Sequence, residues 1–222
     1  MKPKRANLTI TLRGEFSQVT RIDIPRKSIY RLSIYQRCLS RLKENAVDTV
    51  SSEALAKAAG VKPTQLRKDL TYFGQFGTRG LGYNVEALSS TIAKVLGQNH
   101  LQPVILVGVG NLGSALLRYG GFRKEGFEVA AAFDLAPRSQ TGLSTPILPM
   151  EQMAEFIRKN QVKMAILTVP ASSAQVVSNQ MVEAGIQAIL NFSPTILDVP
   201  EQVVVNSVDL AVELENLSYF IR

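Results

Sequence analysis

The hydrophobic positions of the chain change their period near residue 100, and the change separates two kinds of element. Before it, apolar residues recur three and four apart, the spacing of one helical face. Ile29, Leu32, Leu39 and Leu42 form such a stripe, with Arg26, Lys27, Arg31, Arg37, Arg41 and Lys43 on the other faces. Pro25 suits the first helical position, where its missing amide costs nothing. Residues 52–59, the turn Gly60-Val61-Lys62 and residues 63–73 predict two short helices around a three-residue corner, which is helix-turn-helix spacing. In the second helix Leu66, Leu70 and Phe73 must face the core, which turns Gln65, Lys68, Thr71 and Tyr72 outward with Arg67 at the flank. Residues 74–82 are punctuated by glycine and carry Arg79 where a hairpin tip should fall, so they predict a wing. Residues 85–96 read as a helix leading into the second half, within a connecting segment at 86–101.

Beyond residue 100, short apolar runs alternate with helical segments. Strands are expected at 104–107, 127–133, 144–148, 164–169, 188–191 and 203–205, and helices at 111–124, 151–159 and 173–184. Runs apolar on both faces, alternating with helices, define an α/β fold with a doubly wound, Rossmann-like parallel sheet over residues 102–206. The last segment differs. Leu210, Leu214, Leu217 and Ile221 make one stripe that Val208, Ala211, Val212, Tyr219 and Phe220 widen almost all round. Such a helix must be buried on several sides, so residues 207–222 are expected to be a dimerisation helix exchanged with, or packed on, a second subunit. Ser207 is placed to cap it, with Asp209 in its first turn.

Charge sharpens the division. Residues 1–82 carry 16 Lys or Arg against 6 Asp or Glu, a net +10, while residues 83–222 carry 9 against 12, a net −3. A basic module joined to a mildly acidic one suggests a polyanionic partner for the first, most often nucleic acid; a solvated basic surface is the plainer alternative. The basic residues 1–24 read as a mobile arm, either without a role or lying along DNA phosphates, and 25–85 as a winged-helix domain. No run approaches the roughly 18 apolar residues of a membrane span, and no secretory signal is visible, so a cytoplasmic protein without membrane contact is expected. Cys38 is the only cysteine, which leaves no disulfide within the chain and no thiolate cluster for a metal.

The candidate chemistry follows from these elements. In the first half, Gln65, Arg67, Lys68, Thr71 and Tyr72 would offer the major groove amide, hydroxyl and cationic donors. Arg79 would meet the minor groove, and Arg26 and Arg31 would add contacts from the preceding helix. In the second half, Gly108, Val109, Gly110, Asn111, Leu112 and Gly113 follow the first strand at once. Glycines at this spacing permit the tight bend, the approach of backbone to a pyrophosphate, and helix-on-strand packing. Asp134 ends the next strand 21 positions after Gly113, where a carboxylate receives the ribose diol. Thr168, Val169 and Pro170, and Asn191 after the following strand, lie past strand ends where such sheets bind ligands.

Together these residues resemble the Rex family of bacterial redox-sensing transcriptional repressors. The resemblance covers nearly all of 25–222 and is carried by residues 67–74, 77–85, 108–113 and 208–210. It implies a homodimer that senses the ratio of NADH to NAD, occupying two-fold operator DNA when free or NAD-bound and leaving it on binding NADH. It further implies that Tyr119, with Asp209 and Leu210 from an exchanged helix, lies near the nicotinamide, and that Arg37 belongs to the same switch. Two departures stand out: some members carry an aromatic residue where Leu210 stands, and the arm before Pro25 is longer than usual. Two other classes remain open. A nicotinamide-dependent oxidoreductase would need a proton donor beside the hydride site, but His100, the one histidine, precedes the first strand at the wrong end of the sheet. A repressor sensing another nucleotide, such as coenzyme A, is the other.

Overall fold

The computed structural model describes residues 24–77, 81–98, 100–137 and 142–221. Residues 1–23 of the expected basic arm and Arg79 lie outside them. The chain forms two compact units, 1–99 and 100–222.

The first unit is built from α1 (Arg26–Glu44), β1 (Thr49–Val50), α2 (Ser52–Ala58), α3 (Pro63–Thr71), β2 (Tyr83–Asn84) and α4 (Val85–Val95). Pro25 precedes α1 in extended backbone and Ser51 caps α2 by accepting from the Ala54 amide at 3.0 Å. Leu32, Tyr35 and Leu39 of α1 pack with Leu55, Leu66, Leu70, Leu88 and Ile92 in one core. The helix expected to connect the halves, α4, is therefore part of this core: Val85, Leu88 and Ile92 are almost fully buried. The strand after the expected wing tip, β2, pairs antiparallel with β1, Val50 opposite Tyr83.

The second unit holds β3 (Gln102–Val107), α5 (Asn111–Leu117), α6 (Gly121–Lys124), β4 (Phe127–Asp134), β5 (Ile147–Pro149), α7 (Met153–Lys159), β6 (Met164–Leu167), α8 (Ala171–Ala184), β7 (Ala188–Asn191), β8 (Val204–Ser207) and α9 (Leu210–Tyr219). The strands form one parallel sheet in the order β5-β4-β3-β6-β7-β8. Strand order reverses between β3 and β6, which opens a crevice beyond their carboxyl ends. The helix expected at 111–124 is broken at Tyr119 and Gly120, since consecutive glycines at 120 and 121 remove helix propensity where it would have to continue. β8 runs to Ser207, whose backbone pairs with Asn191. Ser207 is thereby taken into the sheet, and Asp209 caps α9 instead, accepting from the Ala211 amide at 3.0 Å and the Val212 amide at 3.3 Å. No residue of α9 is buried within the chain, and Leu210, Leu214 and Leu217 are 62–67% exposed. Among the described residues no helix is long and apolar enough to cross a membrane, and none of the His, Cys, Asp and Glu groups could hold a metal ion.

Candidate nucleotide and nucleic-acid sites

A cleft of about 950 Å³ opens at the crevice between β3 and β6. Gly108, Gly110, Asp134, Thr168, Val169 and Pro170 line it, as the sequence leads one to expect. Gly108 sits at φ +97°, and a side chain there would also press on the Thr168 carbonyl at 2.8 Å. Gly113 is buried; a methyl on it would fall on the Gly108 carbonyl, so this glycine lets α5 lie against the turn. Gly110 is the reverse case. A Cβ there would meet nothing within 4 Å, which leaves open space above the uncapped first turn of α5. That space beside free amides, with a carboxylate across the cleft, fits a dinucleotide's pyrophosphate and ribose.

The turn is held from both sides. The Thr168 hydroxyl reaches the Gly108 carbonyl at 2.6 Å, and Asp134 accepts from the Val109 amide at 2.6 Å and the Ala136 amide at 2.9 Å. Asp134 is thus fixed at the end of β4 with its charge toward the cleft, and its remaining lone pairs suit two vicinal hydroxyls. Leu135, Met150, Ala154, Arg158, Val176 and Gln180 are among the other residues of the lining. Ala154, Arg158, Val176 and Gln180 are missing from the expected set because they come from the sides of α7 and α8, which no strand-end motif marks. Leu135, directly after Asp134, was the one legible by position.

Asn191 departs from expectation. It is fully buried, donates to the Thr195 carbonyl at 3.0 Å and to the Ser207 hydroxyl at 3.3 Å, and accepts from the Ser193 amide at 2.9 Å. Its amide builds the turn after β7 and does not line the cleft. Asn111 and Leu112 are exposed on the first turn of α5. Tyr119 is 59% exposed, edge-on to Phe122 at 5.1 Å, and neither it nor Asp209 and Leu210 lines the cleft within one chain. Arg37 is exposed on α1.

On the first unit, Arg67, Lys68 and Thr71 are exposed along α3, and Tyr72 follows half-buried. The Arg67 guanidinium donates to the Ser52 hydroxyl at 2.9 Å and lies 3.4 Å from Glu53. Solvent screens an exposed pair of this kind, so Arg67 is readily released to a phosphate. Arg26 is exposed, but Arg31 is not available as a surface contact. It donates through Nε and Nη2 to the two oxygens of Asp69 at 2.5 and 2.7 Å, with a side chain 20% exposed. Tyr35 and Gln65 donate to the same carboxylate at 2.8 and 2.9 Å. Burial pushes the Asp69 carboxyl up, but the hydrogen bonds from Arg31, Tyr35 and Gln65 outweigh it and hold its pKa below the usual value. The bond to Asp69 raises Arg31 in turn, and desolvation pushes the Tyr35 hydroxyl up. Asp69 was not singled out from sequence, because a charged residue is ordinarily read as solvated. The clue was its place three after Leu66 and one before Leu70, on the inward side of α3.

A helix-turn-helix unit with cations and hydroxyls along its second helix, in one chain with a parallel sheet whose switch point forms a nucleotide cleft, defines a nucleotide-responsive DNA-binding protein. Residues 23–71 match the family model "Putative DNA-binding protein N-terminus", and residues 99–195 match the model "CoA binding domain". The redox-sensing transcriptional repressor Rex of Carboxydothermus hydrogenoformans is 47% identical over 201 residues, covering 90% of this chain and 97% of that protein. Rex of Streptomyces coelicolor is 45% identical over 198 residues, covering 88% and 77%. Among solved structures, RSP in complex with beta-NAD+ and operator DNA superposes with a TM-score of 0.83 at 37% identity, covering 90% of this chain and 94% of that one. RSP in complex with beta-NADH does so with a TM-score of 0.78 at 35% identity, covering 92% and 95%. The chain belongs to the Rex family of redox-sensing transcriptional repressors.

Proposed function

We propose that this protein is a homodimeric repressor that occupies operator DNA when free or bound to NAD and leaves it on binding NADH. The observation that carries the reading is the cleft at Gly108, Gly110 and Asp134 in the same chain as the exposed cations and hydroxyl of α3. The two RSP complexes, one with NAD+ and operator DNA and one with NADH, support it. The exposed apolar side chains of α9 support a second subunit as its cover, since contiguous apolar surface of this kind marks an interface. The relatives are repressors, and we assign the nucleotide a sensing role with no turnover. The test is operator affinity, on duplexes selected by the protein from random sequence, with and without saturating NADH. A hundredfold fall corresponds to about 2.7 kcal/mol of differential binding; equal affinity in both conditions sinks the reading.

NAD and NADH differ by one positive charge on the nicotinamide, and a carboxylate can read that difference. We assign this role to Asp209, exchanged at the subunit interface, pairing with Arg37 in the DNA-bound form and with Tyr119 when NADH is present. Asp209→Ala and Arg37→Ala should each blunt the NADH response, because loss of one charge-assisted hydrogen bond is worth roughly 1.5–3 kcal/mol. Wild-type release from both variants would place the coupling elsewhere.

Asp134 should make the protein prefer NADH to NADPH, since its charge repels a 2′-phosphate a few ångströms away. The match of residues 99–195 to the CoA binding domain model favours one second reading, coenzyme A as the ligand. Calorimetry with NADH, NAD, NADPH and coenzyme A separates these, with equal NADH and NADPH affinities counting against the role of Asp134. On DNA, phosphate contacts by Arg67, Lys68 and Arg79 should give a steep salt dependence, with a slope of about −0.9 per contact. Alanine at each position should flatten that slope, and an unchanged slope for Arg79→Ala would remove the wing from the contact surface.

A further inference from the structure

We infer that Asp69 sets which edge of Gln65 faces DNA, so that Gln65 reads one base through its carbonyl oxygen, by accepting from the exocyclic amino group of adenine or cytosine. The inference rests on the DNA-binding reading of α3. Gln65 is the third residue of that helix, and residues near the N-terminus of a recognition helix are the ones that reach base edges. A glutamine amide is nearly symmetric in shape, so its two ends are told apart only by what they touch. Here the partner is Asp69, whose oxygens are both engaged. Oδ2 receives Arg31 Nε and the Tyr35 hydroxyl, and Oδ1 receives Arg31 Nη2 and Gln65 Nε2. An ionised carboxylate can only accept, so the nitrogen of Gln65 must face it.

Three donors from Arg31 and Tyr35 hold Asp69 in place, and Asp69 in turn holds Gln65. Among the described residues Oε1 of Gln65 accepts no hydrogen bond, and it is not a buried orphan. Oε1 therefore keeps contact with solvent, while one N–H of Nε2 is turned to Asp69. A glutamine with both ends free reads adenine through two bonds, donating to N7 and accepting from N6. With one N–H committed to Asp69, the feature held constant at the surface is an acceptor. In the major groove the donors that match it are the amino groups of adenine and cytosine. Asp69 is then a positioning residue for recognition, acting through Gln65 without touching DNA.

The test uses the full-length protein and the duplexes it selects from random sequence. Each adenine of the half-site is replaced in turn by purine, and each cytosine by pyrimidin-2-one, which deletes the amino group alone. The wild type should lose about fivefold or more in affinity at one position. Gln65→Met should remain folded and lose discrimination at that position while keeping it elsewhere. Asp69→Asn still accepts from Arg31 and Tyr35 but presents a donor to Gln65. The amide should turn over, and the preference at that one base pair should move toward a base that accepts, thymine O4 or guanine O6. If Asp69→Asn does not fold, Gln65→Met still decides whether the Gln65 amide reads that base; a folded Asp69→Asn that keeps the wild-type preference there overturns the role of Asp69. The inference is overturned if no position responds to loss of an amino group, or if Gln65→Met keeps the wild-type profile. A wild type with no preference for any duplex would instead remove the DNA-binding reading on which it stands.

Discussion

Asp69→Ala is expected to destabilise the first unit by about 3–5 kcal/mol, the cost of stripping one partner from a buried ion pair. The Arg31 guanidinium would keep its charge at 20% exposure and the fully buried Tyr35 would lose its acceptor. Asp69→Asn preserves volume and one acceptor and should cost less. Chemical unfolding of the full chain followed by circular dichroism would report this as an early transition, with unfolding of the sheet unit unmoved. A loss under about 1 kcal/mol, the range of an exposed pair, would show that the network contributes little. The pH dependence has a definite sign. Because the folded pKa of Asp69 lies below the unfolded value of about 3.9, its contribution is fully present above that value and is lost as pH falls through the depressed one. Acid should therefore loosen α3 from α1 while the second unit keeps its ligand cleft.

The second large effect separates two glycines that a motif treats alike. Gly110→Val should keep the fold, costing about 1 kcal/mol through the poorer helix cap, yet lower NADH affinity at least about a hundredfold by filling the space beside the α5 amides. Gly113→Ala should instead damage the fold, because its methyl falls on the Gly108 carbonyl and overpacking of this kind costs typically about 1–3 kcal/mol. On the proposed function Gly110→Val is a repressor that NADH cannot dislodge. Titration and thermal unfolding of both variants check the pair, and a Gly110→Val protein that binds NADH within threefold of wild type would place the pyrophosphate elsewhere.

What the sequence made legible was whatever depends on spacing. Val104, Ile105, Leu106 and Val107 announce a strand buried on both faces, and Asp134 follows from the length of one strand-helix-strand unit. Hidden were the places where a polar side chain spends its hydrogen bonds inside the protein. Asn191 stands at a strand end like Thr168, but its amide closes its own turn. Arg31 looks like its solvated neighbours on α1 until Asp69, from a helix 38 residues on, claims it. Ser207 and Asp209 are both good caps, and the choice between them fell to the ladder of β8 with β7. The apolar breadth of α9 was legible, and in the single chain that breadth is exposed.

The order of strands in the sheet also bears on how the chain acquires its structure. β3, first in sequence, stands fourth from one edge and third from the other, and it stays unpaired on one side until β6 has been made some 60 residues later. The first unit, by contrast, is helical apart from the short β1–β2 pair, and although α1 packs on α4 with Gln36 reaching Ser89 53 residues on, every partner in its core has been made by residue 96. Topologies rich in local contacts fold faster than those built on distant strand pairing. During synthesis the helical unit should therefore reach its native form while β3 still waits for its partners, and the slow step in refolding the whole chain should belong to the parallel sheet.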